Sequence, residues 1–325
     1  MKAIKVLNTK IAAISTLEMK SLVRDFLKNT DNIDSRRSLS AGEIPAFAGM
    51  TEVGGNDKGR NTAKQIGKVN TEFLLRALKN KEFCDALDGC HINIADGKGV
   101  LWAAKYLSLP LKARKLRIAN CELLITIKAI WQMIYSGASL VFYPKYCKNP
   151  ICENIPGLNA MYLMLEATDD TSSPVYFFGA EKDVLAKAID KIKKEFPKLK
   201  IAGYHHGFGY TDEEIIGDIN QSKAKLLIVA LGSPKQEYWI RDNLDKLETV
   251  RVAVGEGGSL DFVAGHSKRA PRWMQSIGLE WFWRLFANRN RSAGTRGRAK
   301  RVWNAVPVFV YNVVKWKLEK QEIKS

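Results

Sequence analysis

The chain has 325 residues, 46% of them apolar and 26% charged, which is enough to bury a core and excludes a disordered, collagen-like or disulfide-scaffold protein. Its 51 basic residues against 34 acidic give a formal charge of +17, a field that favours phosphates, nucleic acid or an anionic membrane surface without choosing among them. Cys84, Cys90, Cys121, Cys147 and Cys152 form an odd set without a paired C-x-x-C spacing, so reduced thiols are expected rather than a zinc site or a disulfide framework.

The opening MKAIKVLNTKIAAIST interrupts its apolar run with charge and lacks a small-residue cleavage site, which argues against a secretory signal. Ile4 to Ile14 reads as a strand or hairpin, followed by a helix capped by Thr16 with Met19, Leu22, Val23 and Phe26 at helical spacing. Residues 29–62 are rich in Gly, Ser, Asp, Asn and Arg without a sustained apolar period, and are expected to be an inserted disordered loop. The phrase IPAFAGMTEVGGNDKG within it resembles translated mobile repeat elements.

From Gln65 onward short apolar runs alternate with helical patterns. Gln65 to Asn70 is strand-like and precedes a helix carrying Phe73, Leu74, Ala77 and Leu78 on one face. HINIADGKGVLWAAKYL reads as strand, turn and helix; Pro174 to Gly179, Ile201 to Gly203, Leu226 to Leu231 and Val250 to Val254 read as further strands. Residues 118–144 are apolar but contain Glu122, Lys128 and Gln132, and residues 302–316 are shorter than the roughly 20 residues a spanning helix needs, so neither reads as a clean transmembrane helix. Strand–helix alternation predicts an α/β fold with an open, mostly parallel sheet, whose ligands gather at the carboxyl ends of the strands.

Those ends carry Asn70, Asp96-Gly97, Gly179, His205-His206-Gly207, Gly232 to Glu237 and Gly255 to Asp261. Gly, Asp, Asn and Gln at such turns suit a phosphate-bearing, hydroxyl-rich ligand, although βα turns also need them as turn formers and caps. No G-x-G-x-x-G fingerprint and no P-loop lysine motif occurs. Adjacent His205 and His206 point apart on a strand, so loop or substrate contacts are expected of them rather than metal ligation. Glu213 and Glu214 fit the solvated first turn of a helix. Asp96, in a DG turn at a strand end, is placed for general-base work or for helix capping.

ADGKGVLWAAKYLSLPL, VYFFGAEKDVLAKAIDKIKKEFPKLKIAGYHHGF, INQSKAKLLIVALGSPKQEYWI and VAVGEGGSLDFVAGHSKRAPRWMQSIGLEWFWRLF together resemble the WecG/TagA/CpsF family, glycosyltransferase family 26, over most of residues 64–290. The resemblance implies a Rossmann-like core of residues 1–28 plus 63–265 and a C-terminal membrane-docking appendage, 266–325. It implies an inverting, metal-independent transfer, without cofactor, of N-acetylmannosamine or its uronate from UDP to a polyprenyl-diphosphate-linked N-acetylglucosamine in cell-surface polysaccharide synthesis. Carried over motif by motif, the base falls on Asp96, the acceptor-sugar partner on Asn70 and the donor-side glutamine on Gln236. Gly179, Lys235, Gly257, Gly258 and Asp261 would complete the UDP-sugar pocket, and Arg269, Arg272 and Arg284 would meet diphosphate or membrane.

Two positions depart from the family pattern. Lys68 stands where Thr is frequent, and Asn154 stands where Arg is expected, both on the acceptor side; between them residues 112–153 form an apolar, basic insertion atypical of the family. A catalytically degenerate basic protein that binds membrane or nucleic acid is the alternative reading.

Residues 266–325 hold 14 Lys/Arg against 3 Asp/Glu, so 14 minus 3 places +11 of the +17 there. Trp273, Trp281, Trp283, Trp303 and Trp316 interleave with these charges, the composition of a segment lying on anionic lipid. Core packing with a solvated loop is a second reading, and nucleic acid a third and less favoured one. The expected location is the cytoplasmic face of the membrane, peripherally bound, with homo-oligomerisation left open.

Overall fold

The computed structural model describes residues 2–28, 63–111, 121–267, 269–271, 274–275, 283 and 304–322. The expected disordered loop, 29–62, lies outside them. The N-terminal hairpin pairs β1 (Ala3–Val6) with β2 (Thr9–Ala12), antiparallel. Helix α1 (Thr16–Lys28) follows, and its cap is one residue earlier than expected. Ser15 accepts from the Glu18 N–H at 3.3 Å while its own N–H donates to Glu18 Oε2 at 2.8 Å, the reciprocal pair of a capping box.

The central sheet has six strands, all parallel: β3 (Lys64–Val69), β4 (Ile92–Ala95), β5 (Val175–Gly179), β6 (Ile201–His205), β7 (Leu226–Ala230) and β8 (Val252–Gly255). Their spatial order is β4-β3-β8-β7-β5-β6. The helices are α2 (Thr71–Lys79), α3 (Lys81–Asp88), α4 (Lys98–Ser108), α5 (Cys121–Phe142), α6 (Gly157–Asp170), α7 (Lys182–Glu195), α8 (Asp212–Ser222), α9 (Lys235–Asn243), α10 (Ser259–Ala264) and α11 (Phe309–Glu322).

Strand residues alternate between the two faces, as the two-residue pleat requires. Ile66, Ile94, Phe177, Ile228 and Val254 meet the inner faces of α1, α6, α7 and α10, while Tyr176, Phe178, Leu227, Val229 and Ala253 meet α8 and α9. Each such Val, Leu, Ile or Phe side chain, fully buried, contributes about 1.5–3 kcal/mol relative to exposure. Coverage on both faces is why the strands read as unbroken apolar runs rather than alternating ones.

The expected single helix after β3 is two, broken at Asn80, whose Oδ1 accepts from the Phe83 N–H at 2.9 Å. Before α8, Thr211 and Glu214 form a second capping box, so Glu214 is a cap partner as well as a first-turn charge. Residues 121–142 form one 22-residue helix, and the stretch Leu123–Phe142 is long and apolar enough by length and composition to cross a membrane. One of its faces is held by the core. Trp102 Nε1 donates to Ser136 Oγ at 3.0 Å and the Tyr106 hydroxyl donates to Ala129 O at 3.2 Å. The described end of the 266–325 segment is built into the fold: Phe309 and Val313 of α11 are buried in the same cluster as Leu74, Trp102 and Tyr106, and Lys317 donates to Tyr106 O and to Gln132 Oε1.

Candidate active site

The carboxyl ends of β4, β3, β8 and β7 open into a cleft of ≈ 370 Å³. β3 and β8 are neighbours in space and far apart in sequence, and such a switch in strand order leaves a crevice for ligands because the flanking connections diverge. Lys68 and Asn70 reach the cleft from β3 and its following turn, Asp96 from the turn after β4, Gln236 from the start of α9, and Gly257 and Gly258 from the turn after β8, with Arg269 at its side. These seven expected site residues therefore share one cavity.

Asp96 is positioned from two sides. Its backbone N–H donates to Val69 O at 2.9 Å, and its Oδ1 accepts from the Gly157 N–H at 3.2 Å. The cap of α4 is Gly97, which has no side chain to offer. The Asp96 carboxylate thus holds the first amide of α6 rather than capping the helix that follows it in sequence. Half-buried, with one oxygen anchored, it lines the cleft as a carboxylate able to take a proton.

Asn70 caps α2, its Oδ1 accepting from the Phe73 N–H at 3.0 Å. That bond leaves the Nδ2 amide as the group that can donate to a ligand. Lys68, the departure from the family pattern, is answered inside the protein: its ammonium pairs with the Glu256 carboxylate, whose side chain has 0% exposure. Glu256 also accepts from the Ser259 hydroxyl. Burial pushes the Glu256 carboxyl up, with the Lys68 ammonium opposing it. Glu237 is likewise pushed up, chiefly by burial.

Gln236 lies buried across the cleft floor and donates to Glu237 Oε1 at 2.7 Å. A Cβ on Gly257 would stand 2.7 Å from both Gln236 Oε1 and Gly232 Cα, so only glycine allows the β8 turn to approach the β7 turn this closely. Among the described residues, Gln236 Oε1 and Glu237 Oε2 belong to the buried side-chain atoms without a hydrogen-bond partner, as does Glu256 Oε1 behind the cleft lining. Buried acceptors are rarely left so, and the two that belong to the cleft lining, on Gln236 and Glu237, suit a ligand that brings donors. Among the described residues no group of three His, Cys, Asp or Glu side chains could hold a metal ion.

Other expected site residues stand apart from the cleft lining. Gly179 ends β5 at φ +108°, where a Cβ would meet Ala230 C at 2.6 Å; its place in the structure is this close approach of β5 to its parallel neighbour β7. Lys235 is exposed at the start of α9, Asp261 is buried within α10, and half-buried Asn154 precedes the cleft residues Pro156 and Gly157. His205, the last residue of the edge strand β6 and off the cleft, packs edge-on against Tyr210 with ring centroids 3.6 Å apart, and its ring lies 4.9 Å from that of His206, so the two histidines do not point apart as expected. Arg272 and Arg284 lie outside the described residues. Sequence reading gave no individual role to Glu237, Glu256 or Arg76. Arg76 lines the cleft and donates to Ser233 Oγ at 3.1 Å; its signal is a helical position one turn beyond Glu72, another residue of the lining, legible only once α2 is seen to border the site.

A doubly covered parallel sheet, with an anchored carboxylate, cations and unsatisfied acceptors at its carboxyl edge, defines a Rossmann-like protein with a polar cleft suited to a hydroxyl-rich, charged ligand. The family model for the glycosyl transferase WecG/TagA/CpsF family matches residues 53–131 and 122–323. The chain belongs to that family and is a glycosyltransferase. Three relatives are named N-acetylglucosaminyldiphosphoundecaprenol N-acetyl-beta-D-mannosaminyltransferase. The one from Bacillus spizizenii is 36% identical over 152 residues, 47% of this chain and 59% of the relative. That from Bacillus subtilis is 28% identical over 69% of this chain and 71% of its own length, and that from Staphylococcus aureus (strain NCTC 8325) 30% identical over 59% and 72%.

Proposed function

We propose that this protein transfers N-acetylmannosamine, or its uronate, from UDP to the N-acetylglucosamine of a polyprenyl-diphosphate acceptor at the cytoplasmic face of the membrane. The observation that carries the reading is the Asp96 carboxylate, fixed by the Gly157 amide in a cleft shared with Asn70, Gln236 and the Gly257-Gly258 turn. In the proposed step an acceptor hydroxyl attacks the anomeric carbon of the donor. Asp96 takes the hydroxyl proton as the new C–O bond forms, and the bond to the UDP oxygen breaks on the opposite face, which inverts the configuration. Asn70 Nδ2 donates to the acceptor sugar. Gln236 Oε1 and the unsatisfied oxygen of Glu237 accept from sugar hydroxyls or from the base of the nucleotide.

The departing diphosphate carries charge that needs cations or oriented amides. Arg76 and Arg269 line the cleft for this purpose, Lys235 stands nearby at the start of α9, and the glycine turn lets backbone N–H groups approach the phosphates. With side chains neutralising the leaving group, the reaction proceeds without a metal ion, and excess EDTA leaves the rate unchanged.

The test is UDP release from a panel of UDP-N-acetylhexosamines and their uronates, with and without a detergent-solubilised polyprenyl-diphosphate-N-acetylglucosamine. Acceptor-dependent release confined to the manno-configured donors supports the reading. Equal release without acceptor, or with a monosaccharide lacking the diphosphate, refutes the assigned acceptor.

A further inference from the structure

Helix α5 has two opposed faces. Ala129, Met133, Ser136 and Leu140, spaced by three and four residues, turn toward α4 and α11. On the other side Leu123, Ile127, Ile130, Trp131, Ile134, Val141 and Phe142 form an exposed stripe, with Phe142 86% and Trp131 66% accessible. Over about 33 Å of helix at 1.5 Å per residue, this is a larger continuous apolar surface than a soluble face carries without a partner.

We propose that the outer face of α5 seats the protein in the headgroup–acyl boundary of an anionic bilayer, with the helix lying in the membrane plane. Three observations select lipid as the occupant. Residues 123–152 contain Lys128, Lys145 and Lys148 and no acidic residue, and lysines beside an apolar stripe complement anionic headgroups. A second copy of the same face would bring those like charges together. Trp131, Tyr135 and Tyr143 are exposed along or beside the stripe, and amphipathic rings favour the boundary layer.

The in-plane orientation follows from packing. α5 is fixed alongside α4 by the Trp102–Ser136 and Tyr106–Ala129 bonds and to α11 through Lys317. Inserting it across the bilayer would break all three. The same bonds set an antiparallel register, so the C-terminal turn of α5 lies level with the N-terminal turn of α4, which begins just after Asp96. From there the chain runs through the 3-10 turn Pro144–Lys148 to Gly157, whose amide holds Asp96. The docking face therefore ends beside the acceptor side of the cleft. Rooted in the lipid-linked acceptor assigned above, this gives that acceptor a route from bilayer to base.

The experiment is sedimentation of the full chain with vesicles of phosphatidylglycerol and phosphatidylethanolamine, comparing wild type with Ile127→Gln/Trp131→Gln/Phe142→Gln. Release of UDP with a water-soluble, short-chain acceptor is measured in parallel. The proposal expects about a hundredfold weaker vesicle partitioning in the variant, unchanged turnover of the soluble acceptor, and extraction of wild type from vesicles by alkaline carbonate. Equal partitioning of the two proteins overturns it, as does resistance to carbonate, which would mean a spanning helix. A wild-type dimer that becomes monomeric in the variant, with partitioning unchanged, assigns the face to a second copy instead. Loss of partitioning in a protein that turns over no acceptor sustains the docking face and refutes the transferase reading alone.

Discussion

Lys68 and Glu256 form a charge pair that each needs. Removing one partner strands the other in a site where Glu256 is fully enclosed, which costs about 3–5 kcal/mol, whereas removing both leaves a smaller deficit. Lys68→Met should therefore lower the urea midpoint steeply, and Lys68→Met/Glu256→Gln should recover most of it. Additive losses would show that the pair is not coupled. His91 gives a pH signature: burial, reinforced by Lys64, pulls its imidazole down to about 4. The unfolded chain takes up the proton near pH 6.5 and the folded chain near 4, so stability is full above 6.5 and falls as pH drops through that window. Given its partial exposure, the loss should be on the order of 2 kcal/mol, and His91→Phe should flatten the profile of unfolding free energy against pH between 6.5 and 4.

The elements were legible where one physical signal dominated. β5, β7 and β8 are sealed on both faces, and their unbroken apolar runs in VYFF, LLIVA and VAV announced them. Asp96, Asn70 and Gln236 stood out because each ends a strand or opens a helix. Glu256 did not, because its meaning depends on Lys68, distant in sequence and joined to it only by the β3–β8 pairing. The break at Asn80 was hidden because the helical period continues through it. Gly179 read as a binding residue although its conformation is demanded by strand packing. Gly179→Ala forces a Cβ against the Ala230 backbone at positive φ, with a cost of about 1–3 kcal/mol. The check is a thermal melt: a lowered midpoint together with donor affinity unchanged in the folded protein assigns the glycine to the scaffold, and loss of affinity at full stability would assign it to the site.

Across the whole molecule, the C-terminal region combines two roles that composition could not separate. Its basic and aromatic residues suggested a membrane appendage, yet α11 places Phe309 and Val313 in the core cluster of α2 and α4. Phe309→Ala should accordingly cost about 3–5 kcal/mol of folding stability, read by denaturant unfolding of the full chain; a cost below 1 kcal/mol would mean that α11 is a detachable arm. The same packing explains how an apolar 22-residue helix is kept beside the catalytic domain: α4 and α11 grip one face of α5 and leave the other outward. This arrangement brings the C-terminal end of the exposed stripe close to the turn that carries Asp96, as the proposed transfer from a nucleotide sugar to a membrane-held acceptor requires. The most direct test is the acceptor-dependent rate of UDP release by wild type and Asp96→Asn, with UDP affinity measured on both. The asparagine keeps an oxygen for the Gly157 amide, so the fold and UDP binding should persist while turnover falls by about 10²–10⁴. Near-wild-type turnover in the folded variant would contradict Asp96 as the base and with it the mechanism proposed for this cleft.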